Sequence, residues 1–81
     1  MKTYVTKDFY LSVLLMSNGF ELVGSEKKKN GVHFHIQYDN SELLRELIDQ
    51  FINMEAVINM SLMVKNTAQL RRELDKYKNN S

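Results

Sequence analysis

The sequence predicts an α+β fold of order β-α-β-β-α-α, and three observations carry that expectation. Residues 32–38 alternate apolar and polar strictly, the period-two pattern of a strand with one buried face. An Asn30-Gly31 turn signal joins them to a second β-prone run at residues 20–26. On either side, residues 9–16, 43–51 and 60–77 carry apolar side chains at helical rather than alternating spacing.

Residues 2–5 are β-prone and fit an edge strand beside the hairpin. Thr6 is the expected N-cap of the first helix, and Asp8 sits where the helix dipole favours an anion. That helix should run to about Asn18. Phe9, Tyr10, Leu11, Val13, Leu14, Leu15 and Met16 cover most of its circumference, so it should be buried on more than one side. Gly19 is the expected left-handed stop, with Phe20 folding back as the apolar contact of a Schellman-type end.

Hairpin register follows from the rule that directly opposed residues share a face. A two-residue Asn30-Gly31 turn sets Lys27 against Phe34 and sends Leu22 to the wrong side. A three-residue loop, Lys29-Asn30-Gly31, pairs Leu22 with Tyr38, Gly24 with Ile36 and Glu26 with Phe34, with Gly31 in the left-handed position. In that register Glu21, Val23, Ser25, Lys27, His33, His35, Gln37 and Asp39 share a polar face, open to a partner if helices cover only the other side.

Asp39 and Glu42 match a capping box for the second helix, whose Leu43, Leu44, Leu47, Ile48 and Phe51 form one apolar face to pack on the sheet. Residues 53–59 are read as a break, because Asn59 is a good N-cap for the third helix. From there Met60, Met63, Thr67, Leu70, Leu74 and Tyr77 keep a 3-4-3-4-3 spacing, the narrow seam of a coiled coil. Such a helix docks on its own domain or pairs with a second copy, and Met63, Leu70, Leu74 and Tyr77 are the expected self-association residues of a homodimer. The chain reads as a single domain, 1–81, with a β-α-β-β-α core over 1–53 and a connector and final helix over 54–81. Asn79-Asn80-Ser81 is expected to fray.

Composition excludes several classes. A formal charge of +1 gives no global polycation argument for nucleic acid. Residues 1–52 hold six Lys/Arg against seven Asp/Glu, and residues 53–81 hold five against three, so the final helix is only mildly basic. The chain has no cysteine, hence no disulfide framework and no thiolate metal site. No apolar run reaches membrane-spanning length, and the first residues lack a signal-peptide core, so a soluble cytoplasmic protein is expected.

The residues Tyr4-x-Thr6-Lys7-Asp8-Phe9-Tyr10-Leu11-x-x-Leu14-Leu15-x-x-x-Gly19, a hairpin ending Phe34-x-Ile36-x-Tyr38-Asp39, a Leu-rich helix and a final helix with Leu70-Arg71 form a pattern. The pattern resembles a small uncharacterised domain family, largely from phages, prophages and other mobile elements of bacteria and archaea, with an aromatic-x-Thr-Lys-Asp start. The resemblance implies a mobile-element context and no catalytic residues.

Candidate contacts lie on the surface. His33 and His35 stand two residues apart on one strand face, close enough to share a metal, yet a third ligand is missing, and no metal or other cofactor is expected. Contact with phosphate or with a partner's acids is the alternative, and it would be pH-sensitive. Lys27, Lys28 and Lys29 crown the hairpin tip, and Lys65, Gln69, Arg72 and Lys76 can share a stripe on the last helix. No paired-acid spacing, phosphate loop or nucleophile-base pair is legible, so an enzyme is not expected. The leading expectation is a non-enzymatic protein-binding module acting on a host or phage protein, for instance as an inhibitor of an immune nuclease. The alternatives are a nucleic-acid-binding accessory protein using Lys27, Lys28 and Lys29 with Lys65, Arg71, Arg72 and Lys76, and a structural homo-oligomer.

Overall fold

The element that cannot turn a side to water sets the architecture. Helix α1 (Phe9–Ser17) is apolar around nearly its whole circumference, and residues 11–16 are all buried. In the computed structural model, which describes residues 1–78, α1 forms the middle layer. It touches all three strands of an antiparallel sheet made of β1 (Lys2–Thr6), β2 (Glu21–Lys28) and β3 (Gly31–Tyr38), with β3 in the centre and β1 and β2 at the edges. Two further helices, α2 (Ser41–Ile52) and α3 (Met60–Lys78), pack chiefly on α1. The fold is therefore α+β in the expected order. One placement differs: α2 was expected on the sheet, but α1 already occupies the sheet's covered face, so α2 lays its buried Leu44 and Leu47 towards α1. Leu14, Leu15, Phe34, Ile36 and Leu70 form the centre of the single core.

A polar side chain caps the start of each helix. The N-cap of α1 is Asp8, whose Oδ1 accepts from the Leu11 N–H at 3.0 Å, while the expected cap Thr6 accepts one step earlier, from the Asp8 N–H at 3.1 Å. Ser12, the polar member of the buried run, donates from Oγ to the Asp8 carbonyl at 2.8 Å, so its hydroxyl is satisfied within the helix. At the other end Gly19 stands at φ +91°, and the Phe20 and Gly19 amides donate to the Leu15 and Met16 carbonyls, both at 3.1 Å. This is the expected Schellman end, and it delivers Phe20 into the core. For α2 the cap is Asn40, accepting from the Leu43 N–H at 3.0 Å, rather than the Asp39 of a capping box. Residues 53–59 form the expected break, and Asn59 caps α3 by accepting from Ser61 and Leu62.

The hairpin register is not the expected one. Lys28 pairs with Gly31, Lys27 with Val32, Glu26 with His33, Ser25 with Phe34 and Gly24 with His35, which leaves Lys29 and Asn30 alone in the turn. Gly31 does take a positive φ, +124°, but as the first residue of β3. Past a bulge at Val23 the ladder resumes with Leu22 opposite Ile36. The expectation assumed an unbroken ladder, in which a residue's parity fixes its face throughout. One extra residue at Val23 reverses that parity, so that Leu22 and Ser25 both face α1.

The final helix is spent differently along its length. Asn66 and Leu70 are buried, and Asn66 Nδ2 donates to Ser17 Oγ of α1 at 3.0 Å. The self-association seam expected at Met63, Leu70, Leu74 and Tyr77 is corrected here. Leu70 is 0% exposed inside its own chain and Leu74 packs against the same core, so the substantially exposed part of the seam is its start, with Met60 74% and Met63 41% exposed. α1 offers an apolar face that a helix of the same chain can cover without the entropic cost of association. The fraying expected of Asn79, Asn80 and Ser81 lies outside the described residues.

Candidate binding surfaces

Because all three helices lie on one side, the sheet's other face is exposed. β1 pairs with β3 so that Thr3 stands opposite Gln37 and Val5 opposite His35. Across β3, Gln37 faces Glu21, His35 faces Gly24 and His33 faces Glu26. The outer face thus carries Thr3, Val5, Glu21, Glu26, His33 and His35: two carboxylates, two imidazoles, a hydroxyl and one aliphatic side chain. The register shift changes its membership: Ser25 and Lys27, expected here, lie on the helix side, and Gly24 and Glu26 take their place. His33 and His35 are half-buried by their cross-strand neighbours, and His33 Nε2 lies 2.9 Å from Asn30 Oδ1, which fixes the ring beside the turn. Among the described residues no group of three His, Cys, Asp or Glu side chains converges to hold a metal.

A second surface forms where the hairpin tip meets the end of α3. Ser25 Oγ donates to a Glu73 carboxylate oxygen and lies 2.7 Å from the Tyr77 hydroxyl, whose proton is then directed at Ser25. Lys76 Nζ binds the other Glu73 oxygen at 2.8 Å. Lys76 and then Ser25 hold the Glu73 carboxyl below its ordinary value, and the same contact raises Lys76. This chain of four side chains clamps β2 to α3. Below it, Lys27, Val32, Leu74, Tyr77 and Lys78 line an open groove of about 320 Å³. A neighbouring groove of about 390 Å³ is lined by Phe9, Tyr10, Arg71, Leu74, Asp75 and Lys78. Phe9 makes edge-on contacts with Tyr10 at 5.5 Å and with the core Phe34 at 6.5 Å, which ties this wall to the sheet.

The expected basic residues therefore divide. Lys27 stands beside Tyr77 and Lys78 at the C-terminal end of α3, Lys28 and Lys29 follow it into the exposed turn, and Lys76 is engaged with Glu73. Lys65 lies thirteen residues before Lys78, about 20 Å along the helix, so it shares no groove with the tip. Arg72 is exposed, whereas its neighbour Arg71 faces the aromatic groove. Sequence reasoning missed the Ser25-Glu73-Tyr77 clamp because it kept Gly24 in a regular ladder, whereas a glycine inside a strand beside an irregular alternation is the signal of the bulge that turns Ser25 inward.

A third surface was not anticipated either. Ile52, Met54, Val57, Met60, Met63 and Val64 are all substantially exposed, from the end of α2 through the connector into the first turns of α3. Residues 53–59 read as a break and Met60 and Met63 as part of the seam of α3, so nothing in the spacing joins these side chains into one surface. No helix of the described residues is long and apolar enough to cross a membrane.

No curated protein and no solved structure was matched by the chain. Residues 1–75 match the family described as a domain of unknown function (DUF5659), and the chain, whose described core ends within that span, belongs to this family.

Proposed function

We propose that this protein is a non-enzymatic binding module of a phage or other mobile element that docks on a protein in the cytoplasm of its bacterial or archaeal host, acting as an inhibitor of a defence enzyme such as an immune nuclease. The observation that supports this reading best is the bare outer face of the sheet. A three-stranded surface backed by α1 presents Glu21, Glu26, His33, His35 and Val5 together, and carboxylates and imidazoles around a small apolar centre suit a protein surface better than a polyanion, which the carboxylates would repel. The test is a capture experiment with the full chain and host lysate. A single stoichiometric host protein should be recovered by the wild type and lost with Val5→Glu/His35→Glu, two outward changes that leave the core intact. Recovery of nothing, or a complex indifferent to both changes, would remove the reading.

A nucleic-acid-binding reading is favoured by the meeting of Lys27 and Lys78 around Leu74 and Tyr77, next to Arg71 and Tyr10, since cations beside aromatic rings suit single strands. It requires affinity for oligonucleotides that falls steeply with salt, and a smaller salt slope after Lys27→Gln/Lys28→Gln/Lys29→Gln. Absence of binding at low salt would dispose of it.

A further inference from the structure

The connector between α2 and α3 contains a residue in an uncommon conformation. Met54 lies at φ +59°, the one non-glycine residue with positive φ among those described. It occupies the left-handed position of a Schellman end: its amide donates to the Phe51 carbonyl at 3.2 Å, and the Glu55 amide donates to the Gln50 carbonyl at 2.8 Å. Glycine holds the equivalent place after α1, because a side chain there crowds the following carbonyl. A methionine gains nothing inside this chain in return, for Met54 is 94% exposed. Strain carried by a residue whose side chain is aimed into water points to a use for that side chain.

Its surroundings show what kind of use. Val57 is 88% exposed, Met60 74% and Ile52 68%, with Met63 and Val64 continuing the surface on one face of α3. Between Ile52 and Val64 the sole charged residue is Glu55, and the other polar groups are Asn53, Asn59 and Ser61. Together the exposed apolar residues of this stretch present on the order of 800 Å², the share that one partner contributes to an interface of standard size. Surfaces used for occasional partners are hardly more apolar than the rest of a protein, whereas homodimer interfaces are distinctly so. A patch with almost no charge also meets its own image without like-charge conflict, and a chain of 81 residues gains much from added burial.

We propose that residues 52–64 are the face through which two copies of this chain join in a two-fold dimer, with Met54 of each inserted against the partner copy. Methionine suits that place because its flexible thioether fills irregular gaps. The interface lies away from the bare sheet face, so pairing leaves that face open and duplicates it.

The experiment is sedimentation equilibrium of the full chain over a wide concentration range, alongside melting curves at a concentration where every variant is monomeric. The wild type should be dimeric at tens of micromolar. Val57→Asp/Met60→Asp should be monomeric throughout, with an unchanged far-ultraviolet spectrum. Met54→Gly carries the distinguishing readout: relief of the left-handed strain should leave the monomer's melting temperature equal or higher, while the dimer dissociation constant rises tenfold or more. A wild type that stays monomeric at every concentration overturns the proposal and leaves the face to a partner of different sequence. A dimer that survives Val57→Asp/Met60→Asp, or that is as tight with Met54→Gly, overturns it as well by placing the contact elsewhere.

Discussion

Helices α1 and α2 end in the same hydrogen-bond pattern, and the two corners then do opposite things. After α1 the left-handed residue is Gly19 and the next is Phe20, which is buried in the core. After α2 the left-handed residue is Met54 and the next is Glu55, and both are exposed. The first corner is made of the residue that bears the conformation most easily and leads an aromatic ring inward. The second is made of a residue that bears it poorly and leads outward. A shared hydrogen-bond pattern is thus no guide to purpose; the side chains around it are. One corner belongs to folding and the other to the surface, and α3, which begins beyond the second and is clamped near β2 at its far end, shares in both.

The sharpest way to break this contrast is to remove the residue following each corner. Phe20→Ala should destabilise the fold by about 3–5 kcal/mol, the usual result of deleting a buried aromatic ring. Glu55→Ala, at the corresponding position after α2, should change stability by less than about 0.5 kcal/mol, as exposed sites do. Urea unfolding of both variants measures the pair, and equal losses would show that the second corner is also a folding element.

Next in size is the left-handed residue itself. Gly19→Ala should cost about 1–2 kcal/mol from backbone strain alone, since nothing beyond its chain neighbours lies within 4 Å of where the new Cβ would stand. Its mirror experiment is Met54→Gly, which should not destabilise the monomer. If Gly19→Ala were neutral, the strain assigned to Met54 would lose its basis too.

These corners also show how far the sequence could be read. Gly19 followed by Phe20 was legible, because glycine after an apolar helix has few other uses and an aromatic residue next to it has an obvious destination. The element order was legible from the strict alternation in β3 and from helical spacing on either side of it. Met54 was not, because methionine carries no turn signal and residues 53–59 follow neither the strand nor the helix period. The outer sheet face was read only in part: the imidazoles His33 and His35 were placed correctly by the alternation of β3, while Ser25 and Lys27 were not. A bulge shifts parity for every residue beyond it, and its mark in the sequence, Gly24 next to Val23, is instead given a regular place opposite Ile36 when the ladder is assumed unbroken. The seam of α3 had the right period but the wrong owner, since spacing states which residues share a face and not which surface covers it; Leu70 is covered by its own chain.

The clamp at the far end of α3 offers a smaller effect. Ser25→Ala removes a donor to Glu73 and leaves the Tyr77 hydroxyl without its partner, at about 1 kcal/mol. Hydrogen exchange should show the loss confined to the last turns of α3 rather than spread over α1, because Asn66 and Leu70 still hold the middle of the helix.

The smallest effect is a pH dependence whose direction is fixed by Glu73. Its carboxyl is held below the ordinary value of 4.5 by Lys76 first and Ser25 second. Between the lowered folded value and the ordinary one, the unfolded chain therefore binds the proton more readily than the folded chain, and stability rises with pH across that window. The contribution of Glu73 is fully present above the ordinary carboxylate range and is lost as pH falls through the folded value. Because Lys76 stands largely in water, with its side chain 65% exposed, solvent screening should keep the effect below about 1 kcal/mol. Urea midpoints of wild type and Glu73→Gln, taken from pH 3 to pH 7, should differ most at the neutral end and draw together in acid. A gap that stayed constant with pH would mean that Glu73 acts through packing alone, and that the clamp holding α3 to β2 owes nothing to its charge.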